Sequence, residues 1–205
     1  KEAFLPPYLE NEVNLDEDVM GIINKYNKNS TLICANAYRL IKYKGSELYG
    51  LNQCIEVARC AKTNKEKVHI IFVVATIKEE DKVYYNYFNT LIQVNNLNTH
   101  ITIIGKSISF INLIKACDIV LRPTLSDGDA LTIREALWFK KNVIASDIVK
   151  RPEGTILYRT GDAEDLYSKI INLKSDNSQE KIDKQVNNSN INYKFYKKLY
   201  SKCSN

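Results

Sequence analysis

The chain has 205 residues, 44% of them hydrophobic and 26% charged, with a formal net charge of +5 and an isoelectric point near 8.8. That length supports one domain with a substantial core plus a tail, and the composition is that of a globular protein rather than a disordered or fibrous one. The longest apolar run, Ile70 to Ala75, falls far short of the roughly 20 residues of a membrane span, and the scattered Lys and Arg suit an anionic ligand or membrane surface without giving a nucleic-acid-binding signature.

In chain order, residues 1–28 carry the pair Pro6-Pro7 and an acidic stretch, followed by Val19–Tyr26, whose spacing suits a short helix. From 29 to 175, short apolar runs alternate with longer helical patterns. The spacing predicts strands over Thr31–Ala35, His69–Ala75, Ile101–Ile104, Ile119–Arg122, Asn142–Ala145 and Thr155–Tyr158. Most are apolar without alternation, as in strands covered on both faces. Helices are predicted over Leu51–Lys62, Glu79–Asn95, Phe110–Ala116, Leu131–Phe139 and Ala163–Leu173. Residues 176–205 read as a polar linker and an amphipathic helix, Ile191–Cys203, whose face of Tyr193, Tyr196, Leu199 and Tyr200 packs back on the core.

This alternation predicts an α/β fold, a Rossmann-like, doubly wound parallel sheet. Such sheets bind ligands at the carboxyl ends of their strands, so the loops after Ala35, Ile104, Arg122 and Ala145 face the ligand. The cysteines Cys34, Cys54, Cys60, Cys117 and Cys203 are odd in number and form no Cys-x-x-Cys, which favours reduced thiols over a disulfide frame or zinc site. The two histidines, His69 and His100, read as strand-edge residues, so no metal site is expected.

The stretch from Arg122 to Leu137 is the most informative. A strand ends in Arg122-Pro123, a polar loop holds Gly128, and a helix begins near Ala130. Asp129 is a natural N-cap for that helix, whose free N–H groups and dipole suit a phosphate. Asp127 in the loop and Glu135 one turn into the helix can accept sugar or ribose hydroxyls from opposite ends of a ligand. The alternative is that Asp127 orders a turn and Glu135 is solvated. After Ala35, Arg39 and Lys44 offer a fork and a point charge for a diphosphate leaving group, or else form a solvated basic loop. After Ala145, Pro152 and Gly154 shape a turn from which Arg151 or Glu153 can reach the crevice.

Together these stretches resemble the donor-binding domain of the family-four retaining glycosyltransferases of GT-B fold. The matching run is Pro123-Thr124, then Asp127 to Ala136, with the paired acids in register. Flanking matches are Ala116 to Val120, Asn142 to Asp147, Pro152-Glu153-Gly154, Gly161-Asp162, and Arg39-Leu40 with Lys44-Gly45. Asp127 replaces the usual first Glu, and Asp129-Ala130 replace Phe and Gly. The Asp-Gly-Asp-Ala and Arg-Pro-Glu-Gly wording is similar to a subgroup of bacterial surface polysaccharide synthesis.

The resemblance implies that Glu135 holds the ribose and Asp127 the donor sugar. Arg39 and Lys44 would take the diphosphate, beside Gly128, Asp129 and the backbone of Ala130, Leu131 and Thr132. It implies transfer from a UDP- or GDP-sugar to a hydroxyl, with no metal or other cofactor. An N-terminal acceptor domain would join at the Leu5-Pro6-Pro7 connector. The reduced thiols and an N-terminus without a signal-peptide core point to the cytoplasm, and the resemblance adds peripheral contact at the inner membrane face.

A dinucleotide oxidoreductase would need Gly-x-Gly-x-x-Gly after the first strand, and Asn36–Lys42 holds no glycine. A non-catalytic nucleotide-sugar-binding subunit that needs a partner chain shares the same site and stays open. So does a purely structural α/β module.

Overall fold

The computed structural model describes residues 15–26, 28–128 and 130–175. The expected Leu5-Pro6-Pro7 connector and the 191–203 helix lie outside the described residues. The elements are α1 (Glu17–Tyr26), β1 (Thr31–Ala37), β2 (Lys42–Tyr43), β3 (Ser46–Glu47), α2 (Leu51–Thr63), β4 (Val68–Val74), α3 (Lys82–Val94), β5 (Ile101–Ile104), α4 (Phe110–Ala116), β6 (Ile119–Arg122), α5 (Leu131–Trp138), β7 (Asn142–Ser146), β8 (Thr155–Tyr158) and α6 (Ala163–Ser175). A 3-10 turn, Glu79–Asp81, precedes α3.

The main sheet has the order β5-β4-β1-β6-β7-β8, and the ladder is parallel throughout. The chain winds outward from β1 to β5, returns to the centre at β6, and winds out the other way. This is the doubly wound order, with its switch point between β1 and β6. Both faces are covered. Ile33, Ala35, Ile70, Phe72, Leu121 and Ile144 pack towards α2, α3 and α6. Leu32, Cys34, Ile71, Val73, Val120 and Val143 pack towards α1, α4 and α5. Burial on both faces is why the central strands read as apolar runs, and each fully buried Ile, Leu or Val contributes about 1.5–3 kcal/mol. No described helix is long and apolar enough to cross a membrane.

Three local readings change. A hairpin, β2–β3, stands in what reads as a loop after β1. Its two-residue turn, Lys44-Gly45, has φ of 48° and 85°, the left-handed pair that closes tight hairpins. The third helix starts at Lys82 rather than Glu79, because Asp81 is drawn into the body by Arg39 and by the N–H of Lys78. His69 is not at a strand edge. It is buried within β4, stacked on Tyr26 of α1 at 3.6 Å between ring centroids, with Nδ1 at 3.0 Å from the Thr99 carbonyl. The cysteines Cys34, Cys54, Cys60 and Cys117 are free thiols, as expected.

Candidate functional site

The ladder between β1 and β6 ends at Cys34 and Val120, although β1 runs on to Ala37 and β6 to Arg122. The two strands therefore part at their carboxyl ends and open a crevice at the switch point. The loops that leave it are joined at its rim. The Leu125 N–H donates to the Leu48 carbonyl at 2.8 Å, and Gln53 Nε2 donates to the Pro123 carbonyl at 2.9 Å. Gly50 makes this approach possible: a Cβ there would lie 2.0 Å from the Pro123 oxygen.

Two helix N-termini rise from these loops, and they differ. At α2 the buried Glu47 carboxyl accepts from the N–H groups of Tyr49 and Leu51 at 2.9 and 2.8 Å, so an internal side chain already occupies that end. At α5 the N-cap residue is Ala130, not Asp129, and among the described residues no side chain caps it. Asp129 itself lies outside the described residues. The extended backbone at Ala130 delays the first helical residue to Leu131. Of these two ends, the α5 terminus has N–H groups that no described side chain engages, and such donors suit an anion.

Asp127 lies beside it, buried in a polar cluster. Its Oδ1 accepts from Arg122 Nη2 and the Gly128 N–H, and its Oδ2 accepts from Arg122 Nε, Thr124 Oγ1 and Arg151 Nη1, at 2.8–3.2 Å. Every lone-pair direction of the carboxylate is taken. Burial would raise its pKa, but the hydrogen bonds from Arg122 and Arg151 overcome that and hold it down to about 2. Asp127, expected to hold the donor sugar, is thus fully engaged by the protein itself. Glu135, the fifth residue of α5, differs. It is half-buried, its side chain makes no hydrogen bond or ion pair among the described residues, and burial raises its pKa.

Residues 39–176 match the family model of glycosyl transferases group 1. The chain belongs to this family. No curated protein matches it. Its fold is similar to that of a glycosyltransferase from Rickettsia africae ESF-5, at 20% identity and a TM-score of 0.65 over 93% of this chain and 52% of that one. Alr3699/HepE from Anabaena in complex with UDP aligns at 20% identity and 0.60 over 88% of this chain and 53% of that one. The C-terminal domain of LpcC, a glycosyl transferase group 1 family protein from Francisella tularensis, aligns at 18% identity and 0.60 over 90% and 94%. The chain therefore spans about half the length of the first two and nearly all of the third. The architecture is that of the C-terminal domain of a GT-B glycosyltransferase.

In this glycosyltransferase domain the two expected phosphate cations are placed differently. Arg39 forks onto Asp81, Nε to Oδ2 at 2.8 Å and Nη2 to Oδ1 at 2.9 Å, and also reaches Glu80. The hydrogen bond from Arg39 holds the Asp81 carboxyl below its usual range. Lys44 sits exposed at the hairpin tip, 5.3 Å over the Tyr43 ring. Leu131 is exposed and Thr132 half-buried at the start of α5, and Gly128 is exposed.

Sequence reasoning missed the clamp made by Arg151. From the β7–β8 connection this buried residue donates to the Ser146 carbonyl, Ser146 Oγ, Thr124 Oγ1 and Asp127. The signal present was its Arg-Pro-Glu-Gly turn after a strand. Arg122 was read as a strand end, yet its guanidinium pairs with Asp127 and lies 5.4 Å over the Tyr49 ring.

Glu47 and His69 make opposite contributions to stability as pH changes. Burial pushes the Glu47 carboxyl from 4.5 up to about 7, and pushes the His69 imidazole from 6.5 down to about 4. On acidification through pH 7 to 4.5 the folded state takes up the Glu47 proton first, which favours folding. From 6.5 to 4 the unfolded state takes up the His69 proton first, which opposes it. In the wild type the two slopes offset. In Glu47→Gln the unfolding free energy from urea titration should fall as pH goes from 7 to 5, by at most about 1.4 kcal/mol per pH unit. In His69→Gln it should rise. Parallel profiles for all three proteins would show that neither group titrates as described.

Proposed function

We propose that this domain binds the nucleotide-sugar donor of a glycosyl transfer, in which a sugar passes from UDP or GDP to an acceptor hydroxyl. The observation that carries the reading is Glu135, a half-buried carboxylate without a side-chain partner among the described residues, about one turn into a helix, α5, whose N-terminus no described side chain caps. A carboxylate in that setting accepts hydroxyls well, and the neighbouring amides take phosphate. The Anabaena relative of the same fold was solved with UDP and with UDP-glucose, which supports a nucleotide sugar as the ligand class.

In this reading Glu135 holds the ribose hydroxyls, and the amides of Ala130, Leu131 and Thr132 meet the diphosphate. Lys44 and Arg39 neutralise its charge, Arg39 on release from Asp81 and Glu80. Asp127 acts through the loop that it fixes, in which Gly128 is exposed and which Asp129 follows in sequence. The leaving diphosphate is stabilised by these cations and the helix dipole, so the reading calls on no metal or other resident cofactor. A second, N-terminal domain supplies the acceptor, and the setting is bacterial surface polysaccharide synthesis at the cytoplasmic membrane face. Support for that setting is the Asp-Gly-Asp-Ala and Arg-Pro-Glu-Gly wording of the loops.

Calorimetric titration with UDP, GDP and ADP tests the reading. One of UDP or GDP should bind, and Glu135→Ala should weaken it by about 10–150-fold, the loss of one or two charge-assisted hydrogen bonds. Equal binding by the variant would remove Glu135 from the site. Binding of none of the three would remove the nucleotide.

A further inference from the structure

Asn36 takes no part in the contacts described above. It is the sixth residue of β1, and strand alternation puts its side chain on the face of Leu32 and Cys34, towards α1, α4 and α5. It stands two residues beyond the last β1–β6 pair, Cys34 with Val120, so it borders the opening between the strands. Its side-chain oxygen is buried and accepts a hydrogen bond from no described residue.

More than nine in ten buried polar groups in native proteins are satisfied, and Asn is a poor strand former, so an orphaned side-chain oxygen in a central strand is a doubly unfavourable choice for folding alone. It lies where a doubly wound sheet takes its ligand. We propose that Asn36 is a donor-site residue whose side-chain oxygen accepts a hydrogen bond from a hydroxyl or N–H of the nucleoside part of the ligand. The proposal rests on the nucleotide reading above. Ionised phosphate oxygens carry no donor, so the diphosphate is not what this oxygen reads. With Glu135 on α5, Asn36 makes two side-chain acceptors that the described residues leave unmatched, which fits a ligand rich in hydroxyl and N–H donors.

The test is Asn36→Val, with Asn36→Ala beside it, in the full chain. Removal of an unsatisfied buried oxygen should raise the melting temperature of the valine variant by about 2–6 °C. The same change should weaken UDP or GDP at least 10-fold in both variants and leave inorganic pyrophosphate within about twofold. A fall in melting temperature with valine, or unchanged nucleotide affinity in both variants, would overturn the proposal while wild-type binding leaves the nucleotide reading standing. Wild-type protein that binds pyrophosphate but neither nucleotide would overturn the nucleotide reading, and this proposal with it.

Discussion

Asp127→Ala should destabilise the protein by about 3–5 kcal/mol, the usual cost when one partner of a buried ion pair is removed. The carboxylate side chain is 8% exposed, between Arg122 at 13% and Arg151 at 2%. Without it two guanidiniums face each other with little water to screen them. Thr124 and the Gly128 N–H lose their acceptor as well. Urea unfolding gives the loss directly. The mechanism predicts a partial rescue: Asp127→Ala with Arg151→Met should be more stable than Asp127→Ala alone, because the second change removes an uncompensated charge.

Acid unfolding gives an independent reading. Asp127 has a folded pKa of about 2 against an ordinary 3.8, so its contribution is complete above about pH 4 and is lost as pH falls through 4 to 2. The wild type should lose stability across that window more steeply than the alanine variant. A single variant within about 1 kcal/mol of wild type would mean that the cluster does not form.

Gly50→Ala should cost about 2–5 kcal/mol and weaken nucleotide binding together. Two penalties add at this residue. Its φ of 83° is left-handed, which costs an alanine about 1–2 kcal/mol. A Cβ would also lie 2.0 Å from the Pro123 oxygen and 2.7 Å from the Pro123 carbonyl carbon, and those are backbone atoms that cannot rotate away. Overpacking of that kind adds about 1–3 kcal/mol.

Relief requires the rim of the crevice to open, which strains the Gln53–Pro123 and Leu125–Leu48 hydrogen bonds. The loop that carries Asp127 would shift with it. Gly45→Ala is the control: φ is 85° there, but nothing lies within 4 Å of a Cβ, so only the backbone cost applies. If the two variants proved equally stable, the close approach at Pro123 would be falsified.

The layers of the fold were legible because their signals are local. Runs such as Ile70 to Val74 are apolar at every position, and that pattern follows directly from burial on both faces. The β2–β3 hairpin was illegible, since two residues per strand give no periodicity and Lys44-Gly45 is a weak turn signal. Glu135 lies about one turn into α5, as its spacing after the loop predicts. The states of Asp127 and Arg39 were not legible, because the sequence lists charges without their partners.

By itself, then, the sequence determined the α/β alternation, the boundaries of most strands and the loop that leads into α5. Each of these depends on residues a few positions apart. Tertiary structure decided which charged groups are spent and which remain. Arg39 meets Asp81 across 42 positions and Arg151 meets Asp127 across 24, contacts that exist only because the strand order brings separate loops to one end of the sheet. Ion pairing depends on distance in space, and distance in space is set by topology, so the acceptors at Asn36 and Glu135 that no described side chain engages become visible only once the sheet is assembled.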